Sequence, residues 1–124
     1  MDTNKVQLLF EVRNQLLLFH WQTSSYARHK ASDAFVKQFD VLVDRLVEAA
    51  QGFQGERVIV DQCISLKNLR LSESSRCRGF DVAAYLKDTH SFISGWKFPT
   101  EGLNTIRDEL TALISKTQFL FSLQ

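Results

Sequence analysis

Two histidines and three carboxylates are the residues of this chain whose types and spacing could do chemistry. They follow one another within residues 20–48 as His20, His29, Asp33, Asp44 and Glu48. Imidazole nitrogen and carboxylate oxygen are the ligands that ferrous ion takes in proteins that also bring it to oxygen. The pattern therefore predicts an iron site, with Zn²⁺ as a competitor for the same ligands.

The hydrophobic pattern predicts that these residues lie at the end of one helix and along the next. Apolar residues recur at helical spacing over residues 5–21 and again over 26–51. Thr23, Ser24 and Ser25 form a loop that offers an N-cap for the second helix, and Gly52 is a suitable end for it. The first helix is expected to bury Val6, Leu9, Phe10, Val12, Leu16, Leu17 and Phe19, and the second Phe35, Phe39, Leu42, Leu46 and Ala49.

The candidate ligands are too far apart along the second helix to meet on one ion. A helix rises about 1.5 Å per residue, which separates Asp33 from Asp44 by about 16 Å and from Glu48 by about 22 Å. A metal–oxygen bond is only about 2.0–2.2 Å long. All five residues can share a site only if a second copy places its helix antiparallel to the first across a two-fold axis. We therefore expect a homodimer with two equivalent sites, or a larger homo-oligomer or heteromeric assembly.

The rest of the chain predicts two further helices, over residues 80–96 and 102–122, so the fold class is all-α. Gly95 and Pro99 separate these helices. The segment between the second and third helices is too long for a turn between antiparallel neighbours, which predicts one long irregular crossover. A single domain over residues 1–124 is expected from the length. The third helix is expected to bury Val82, Tyr85, Leu86, Thr89, Phe92, Ile93 and Trp96.

The spacing of the candidate ligands resembles the ferroxidase motif of the Dps-type miniferritins, the DNA-protecting proteins of starved cells. In that family a His-Trp pair lies near the end of the first helix, and a second His opens the second helix. An acid follows within one turn, and an Asp and a Glu come later on the same helix. The matching residues here are His20, Trp21, His29, Asp33, Asp44 and Glu48. Residues 103–123 are also similar to the family's last helix.

The resemblance implies a ferritin-like four-helix bundle that oxidises Fe²⁺ with peroxide or oxygen at a site between subunits. Such a protein would serve oxidative protection or iron handling. The five ligands would be both catalytic and metal-binding, and Trp21 beside them could take up an oxidising equivalent. The Glu-x-x-His motif of ordinary ferritins does not occur in this sequence. Because only neutral imidazole binds a metal, affinity should fall below about pH 6.5.

A plainer interpretation of the same residues leads to a second hypothesis. His20 could cap a core helix, and the acidic side chains could form a solvated face paired with Lys37 and Arg45. His90 has no acidic companion at ligand spacing and is expected to be structural. The chain would then be a metal-free structural or interaction module on a ferritin-like bundle, for example a minor component of a larger assembly such as a virion. Its contact region would be residues 53–79, whose basic residues are Arg57, Lys67, Arg70, Arg76 and Arg78.

Composition and charge argue against several classes of protein. The formal charge is +1, and only Lys5 precedes the first helix, so DNA is not expected as a partner. No apolar run approaches the roughly 20 residues that cross a bilayer, and the first residues lack the layout of a signal peptide. We therefore expect a cytoplasmic or virion-associated protein, in which Cys63 and Cys77 are free thiols.

Overall fold

The computed structural model describes residues 1–61, 65–69 and 79–123. In that part of the chain the regular structure is entirely helical, and no strand occurs, which confirms the all-α class. The helices are α1 (Thr3–Gln22), α2 (Tyr26–Gln54), α3 (Val82–Ser94) and α4 (Glu101–Phe121). Their limits lie within three residues of those that the hydrophobic pattern predicts.

A short polar side chain caps the start of each helix by accepting a hydrogen bond from a backbone N–H of the first turn. These N-caps are Asp2, Ser25, Asp81 and Thr100. The predicted end of α2 at Gly52 is wrong, because the helix continues to Gln54. A glycine inside a helix costs only about 1 kcal/mol. The helix ends instead at Gly55, which adopts the left-handed conformation with φ of 72°.

The helices pack in the order α1, α2, α4, α3, and adjacent helices run in opposite directions. α1 contacts α2, α2 contacts α4, and α3 contacts α4. The Arg28 guanidinium donates to the Phe121 carbonyl over 3.2 Å, and Arg45 pairs with Glu109 at 2.8 Å. The start of α2 therefore lies beside the end of α4. Phe19 at the end of α1 meets Phe80, just before α3, with ring centroids 6.3 Å apart.

One continuous apolar core holds these helices together. Its largest fully buried members are Phe19, Phe35, Phe39, Leu9, Leu16, Leu46, Leu86, Ile93, Leu110 and Ile114. Three of the predicted core positions are wrong. Phe10 and Phe92 are exposed, and Ala50 is buried in place of Ala49 because it lies one full turn beyond Leu46. The helical period gives the core side of each helix but not the width of the buried stripe.

The described parts of the link between α2 and α3 lie along α1. Near the start of α1, the Thr3 hydroxyl donates to the Ile59 carbonyl over 2.9 Å. Further along, the buried Gln15 amide bonds both the carbonyl and the N–H of Lys67, at 2.7 and 2.9 Å. Near the end of α1, the Leu69 N–H donates to the Gln22 side chain over 2.9 Å. Cys63, Arg70, Arg76, Cys77 and Arg78 lie outside the described residues.

Candidate metal-binding site

The two predicted histidine ligands meet where α1 turns into α2. Only three residues separate the helices, so His20 in the last turn of α1 comes beside His29 in the first turn of α2. Their imidazole rings stack with centroids 3.9 Å apart and planes inclined by 15°. Both rings are half-buried. The structure therefore brings together the two side chains that the sequence predicts as nitrogen ligands.

The two histidines hold each other through reciprocal hydrogen bonds to the backbone. Nδ1 of His20 lies 2.7 Å from the His29 carbonyl, and Nδ1 of His29 lies 2.9 Å from the His20 carbonyl. A carbonyl oxygen can only accept a hydrogen bond, so each Nδ1 carries the proton. In a neutral ring the lone pair then lies on Nε2. A backbone carbonyl bonded to one ring nitrogen in this way orients a histidine whose other nitrogen binds a metal.

Ser32 also supports the histidine pair, and it is not among the site residues that the sequence predicts. The side chain is fully buried, its hydroxyl donates to the Arg28 carbonyl over 2.7 Å, and the same oxygen lies 3.2 Å from Nδ1 of His20. The signal available in the sequence is its position, because Ser32 precedes Phe35 and Phe39 at core spacing on α2. A serine on the buried side of a helix needs partners, and here they are the backbone and His20.

Asp33 lies one turn beyond His29 and is held as a carboxylate. Its oxygen forms an ion pair with the Lys37 ammonium at 3.0 Å. The hydrogen bond from Lys37 lowers the pKa of Asp33 below its ordinary value, with smaller contributions from the charges of Lys37, His20 and Lys30. This corner of the molecule therefore offers a negative charge next to two imidazoles.

Asp44 and Glu48 lie farther along α2, both exposed to solvent and away from the histidines. Helix geometry puts Asp44 about 16 Å from Asp33 along the axis. Glu48 borders a shallow hollow near the end of α2. Trp21, beside His20, is 68% exposed. Among the described residues of one chain, no three His, Cys, Asp or Glu side chains converge closely enough to hold a metal ion.

An apolar groove separates the outer surfaces of α1 and α2 next to Asp44. Its volume is about 300 Å³. The lining consists of Val6, Leu9, Phe10, Arg13, Asp40, Val43, Asp44, Val47 and Val58. Arg13 and Asp40 form an ion pair across it at 3.2 Å. The second half of the candidate ligand set thus lies beside an exposed apolar surface.

Comparison with known proteins gives one result. The model of a family of unknown function, DUF5856, matches residues 20–121. The chain belongs to the DUF5856 family. The match begins at His20, so it spans every candidate ligand of this DUF5856 chain together with α2, α3 and α4. No curated protein and no solved structure matches the chain significantly.

In the ranges that the structure describes, every helix is too short or too polar to cross a bilayer.

Proposed function

We propose that this chain is an iron-binding, miniferritin-like protein that oxidises Fe²⁺ at a site shared between two copies of the chain. The observation that supports this most strongly is the reciprocal bonding of His20 and His29. It fixes both rings in the tautomer whose Nε2 can bind a metal. Two imidazoles oriented in this way beside a carboxylate are a suitable partial ligand set for a divalent first-row metal.

The ligand set is completed by a partner chain in this proposal. One chain supplies His20, His29 and Asp33, and the other supplies Asp44 and Glu48. Fe²⁺ is the substrate, and it loses one electron to peroxide or oxygen. The imidazoles bind the ferrous ion, whereas the carboxylates favour the harder ferric product. Zn²⁺ suits the same nitrogen and oxygen ligands and should compete.

The proposal includes a ferritin-like bundle with a long crossover between α2 and α3. Supporting contacts come from Ile59, Lys67 and Leu69 of the link, which bond successive positions of α1 from its start to its end. Adjacent helices running in opposite directions with one long connection are typical of ferritin-like folds.

Titration of the anaerobic protein with Fe²⁺ tests this function. Calorimetry should give saturable binding near one ion per chain, and the fluorescence of Trp21 beside the site should change in step. His20→Ala should abolish the binding, whereas His90→Ala, on α3 and away from the site, should leave it unchanged. Zn²⁺ added first should block the Fe²⁺ signal. The absence of saturable binding to the wild-type protein would overturn the proposal.

A metal-free interaction module is the second candidate, and exposed aromatic side chains favour it. Phe53, Phe92 and Phe119 are each more than half exposed. Exposed aromatic side chains are common at surfaces that bind other proteins. A protein that binds no iron but assembles stably with another component through these side chains would support this candidate.

A further inference from the structure

The outward side of the α1–α2 pair carries an arrangement of charges that matches a second copy of itself. We propose that two copies pack face to face about a two-fold axis passing between Gln38 and Phe39 of α2. Lys37 of each chain then pairs with Asp40 of the other, and Trp21 of each chain enters the other's apolar groove. This inference rests on the proposed function, because it specifies the partner surface that would complete the metal site.

The axis follows from the positions of the candidate ligands. When two copies of a helix pack antiparallel about a two-fold axis, the residue numbers of every facing pair have the same mean, which is the position of the axis. The midpoint of His29 and Glu48 lies between residues 38 and 39, and so does the midpoint of Asp33 and Asp44. One axis therefore satisfies both ligand pairs at once. The same axis brings Lys37 opposite Asp40, since their midpoint is identical.

Lys37 and Asp40 are free to make this contact. The Lys37 side chain is 76% exposed and donates to Asp33 of its own chain. An ammonium group has three donors, so it can also bond a carboxylate of the partner. The Asp40 side chain is 46% exposed and receives hydrogen bonds from Arg13 at 3.2 and 3.4 Å. A carboxylate has about four acceptor positions, so the Asp40 oxygens can accept more.

The same alignment also brings carboxylates together, because Asp33 of one copy faces Asp44 of the second copy. Facing like charges oppose association. The alignment centred between Gln38 and Phe39 gives two Lys37–Asp40 pairs per dimer. It leaves the remaining acids at the positions where a cation would bind.

The groove and Trp21 provide the apolar part of the same interface. The contacts of His20 with His29 and of Arg13 with Asp40 show that α1 runs antiparallel beside α2. Val6 on α1 and Val47 on α2 consequently lie at the same height and line one groove. The proposed axis places His29 opposite Glu48 of the second copy. Trp21 follows His20, which stacks on His29, so the same axis places Trp21 opposite the groove of the second copy. Trp21 is 68% exposed, and tryptophan is one of the residue types that most often anchor interfaces.

Mixing two charge variants of the metal-free protein tests this interface. In Lys37→Glu homodimers both contacts become Glu against Asp, and in Asp40→Lys homodimers both become Lys against Lys. Each variant alone should dimerise at least about tenfold more weakly than wild type. A mixed dimer has one Glu–Lys contact and one Lys–Asp contact, so it should return to within about threefold of the wild-type dissociation constant. Native mass spectrometry of chains carrying different tags, with chelator present, measures all three species.

Matched variants separate the interface from general effects. Lys116→Glu on α4 makes the same charge change on another helix and should leave dimerisation unchanged. Trp21→Ala should weaken the dimer about tenfold or more, whereas Phe119→Ala removes an equally exposed aromatic of α4 and should not. Because each charge variant folds identically alone and in the mixture, recovery on mixing cannot come from a change in folding.

Three results would overturn the inference: a wild-type protein that stays monomeric, charge variants that dimerise as wild type does, or a mixture that recovers nothing. Iron binding is measured separately, so the two proposals fail in different ways. Recovery on mixing without any iron binding would support the interface and refute the proposed function. If iron binding is restored by mixing ligand variants but the charge variants dimerise as wild type does, the proposed function is supported and this interface is refuted.

Discussion

His20 and His29 each donate a hydrogen bond from Nδ1 to the backbone carbonyl of the other. Their two rings therefore lock the end of α1 to the start of α2 and direct both Nε2 lone pairs away from the backbone. Metal binding at Nε2 needs the neutral ring, since only there does Nε2 keep its lone pair while Nδ1 donates. It is the feature of the structure from which the metal-binding hypothesis gains most.

The tautomer itself can be measured. We expect ¹⁵N chemical shifts of His20 and His29, taken at mildly alkaline pH without metal, to report a protonated Nδ1 and an unprotonated Nε2. Addition of Zn²⁺ should shift the Nε2 resonances of both residues and leave those of His90 unchanged. Nε2–H tautomers at either His20 or His29 would contradict the geometry described here.

Removal of the Ser32 hydroxyl should weaken the site through its support of His20. Ser32→Ala deletes a buried group that bonds the Arg28 carbonyl and approaches His20 Nδ1. We expect a loss of about 1 kcal/mol in the free energy of unfolding. Metal affinity should fall about tenfold, as is common when a partner of a ligating histidine is removed. Ser91→Ala removes an exposed hydroxyl that bonds a helix carbonyl in the same way and serves as the control.

The pKa of Asp33 should depend on Lys37. The hydrogen bond from Lys37 is the largest cause of its lowered value, so Lys37→Gln should raise the pKa toward the ordinary 3.8. A carboxyl whose pKa is lower in the folded than in the unfolded chain stabilises the fold at any pH above the unfolded-state pKa. This stabilisation is lost as the pH falls through the folded-state pKa. A carboxyl ¹³C titration of Asp33 measures the change. The charge of Lys30 has a smaller effect on this pKa, so Lys30→Gln should cause a smaller shift, and equal shifts for both variants would contradict the assignment.

Phe39 should be one of the residues on which the fold depends most. It is fully buried and stacks against Phe35 with ring centroids 5.1 Å apart. Phe39→Ala is expected to lower the free energy of unfolding by about 3–5 kcal/mol. Val41→Ala, on the same helix but 60% exposed, should change it by less than about 0.5 kcal/mol. Chemical denaturation of both variants gives the comparison.

The four helices were predictable from their apolar periodicity, and for α2 the loop before the helix also offered an N-cap. Ser25 of that loop is the cap, since the Arg28 N–H donates to its side chain. The sequence assigned His20 and His29 to one ligand set, but the stacking of their rings depends on how α1 meets α2 and was not predictable. The burial of Ala50 rather than Ala49 was not predictable either, since it depends on how far α2 is rotated against its neighbours.

The contacts between helices at the site could not be predicted from the sequence. The reciprocal Nδ1 bonds depend on the angle and height at which α1 meets α2, and no spacing rule contains that information. The same holds for the contact of Ser32 with His20 and for the Arg13–Asp40 pair beside the groove. The distance between Asp33 and Asp44 was predictable, because both lie on one helix of fixed rise.

Complementation between two inactive variants is the most direct test of a metal site shared by two chains. One variant carries His29→Ala with Asp33→Ala, and the other carries Asp44→Ala with Glu48→Ala. Each homodimer lacks half of both sites and should bind no Fe²⁺. In a mixed dimer purified through two different tags, one site has lost both halves and the other is whole. We predict Fe²⁺ binding and oxidation at about half of the wild-type level for the mixed dimer. A folded mixed dimer that binds no iron would contradict the shared site.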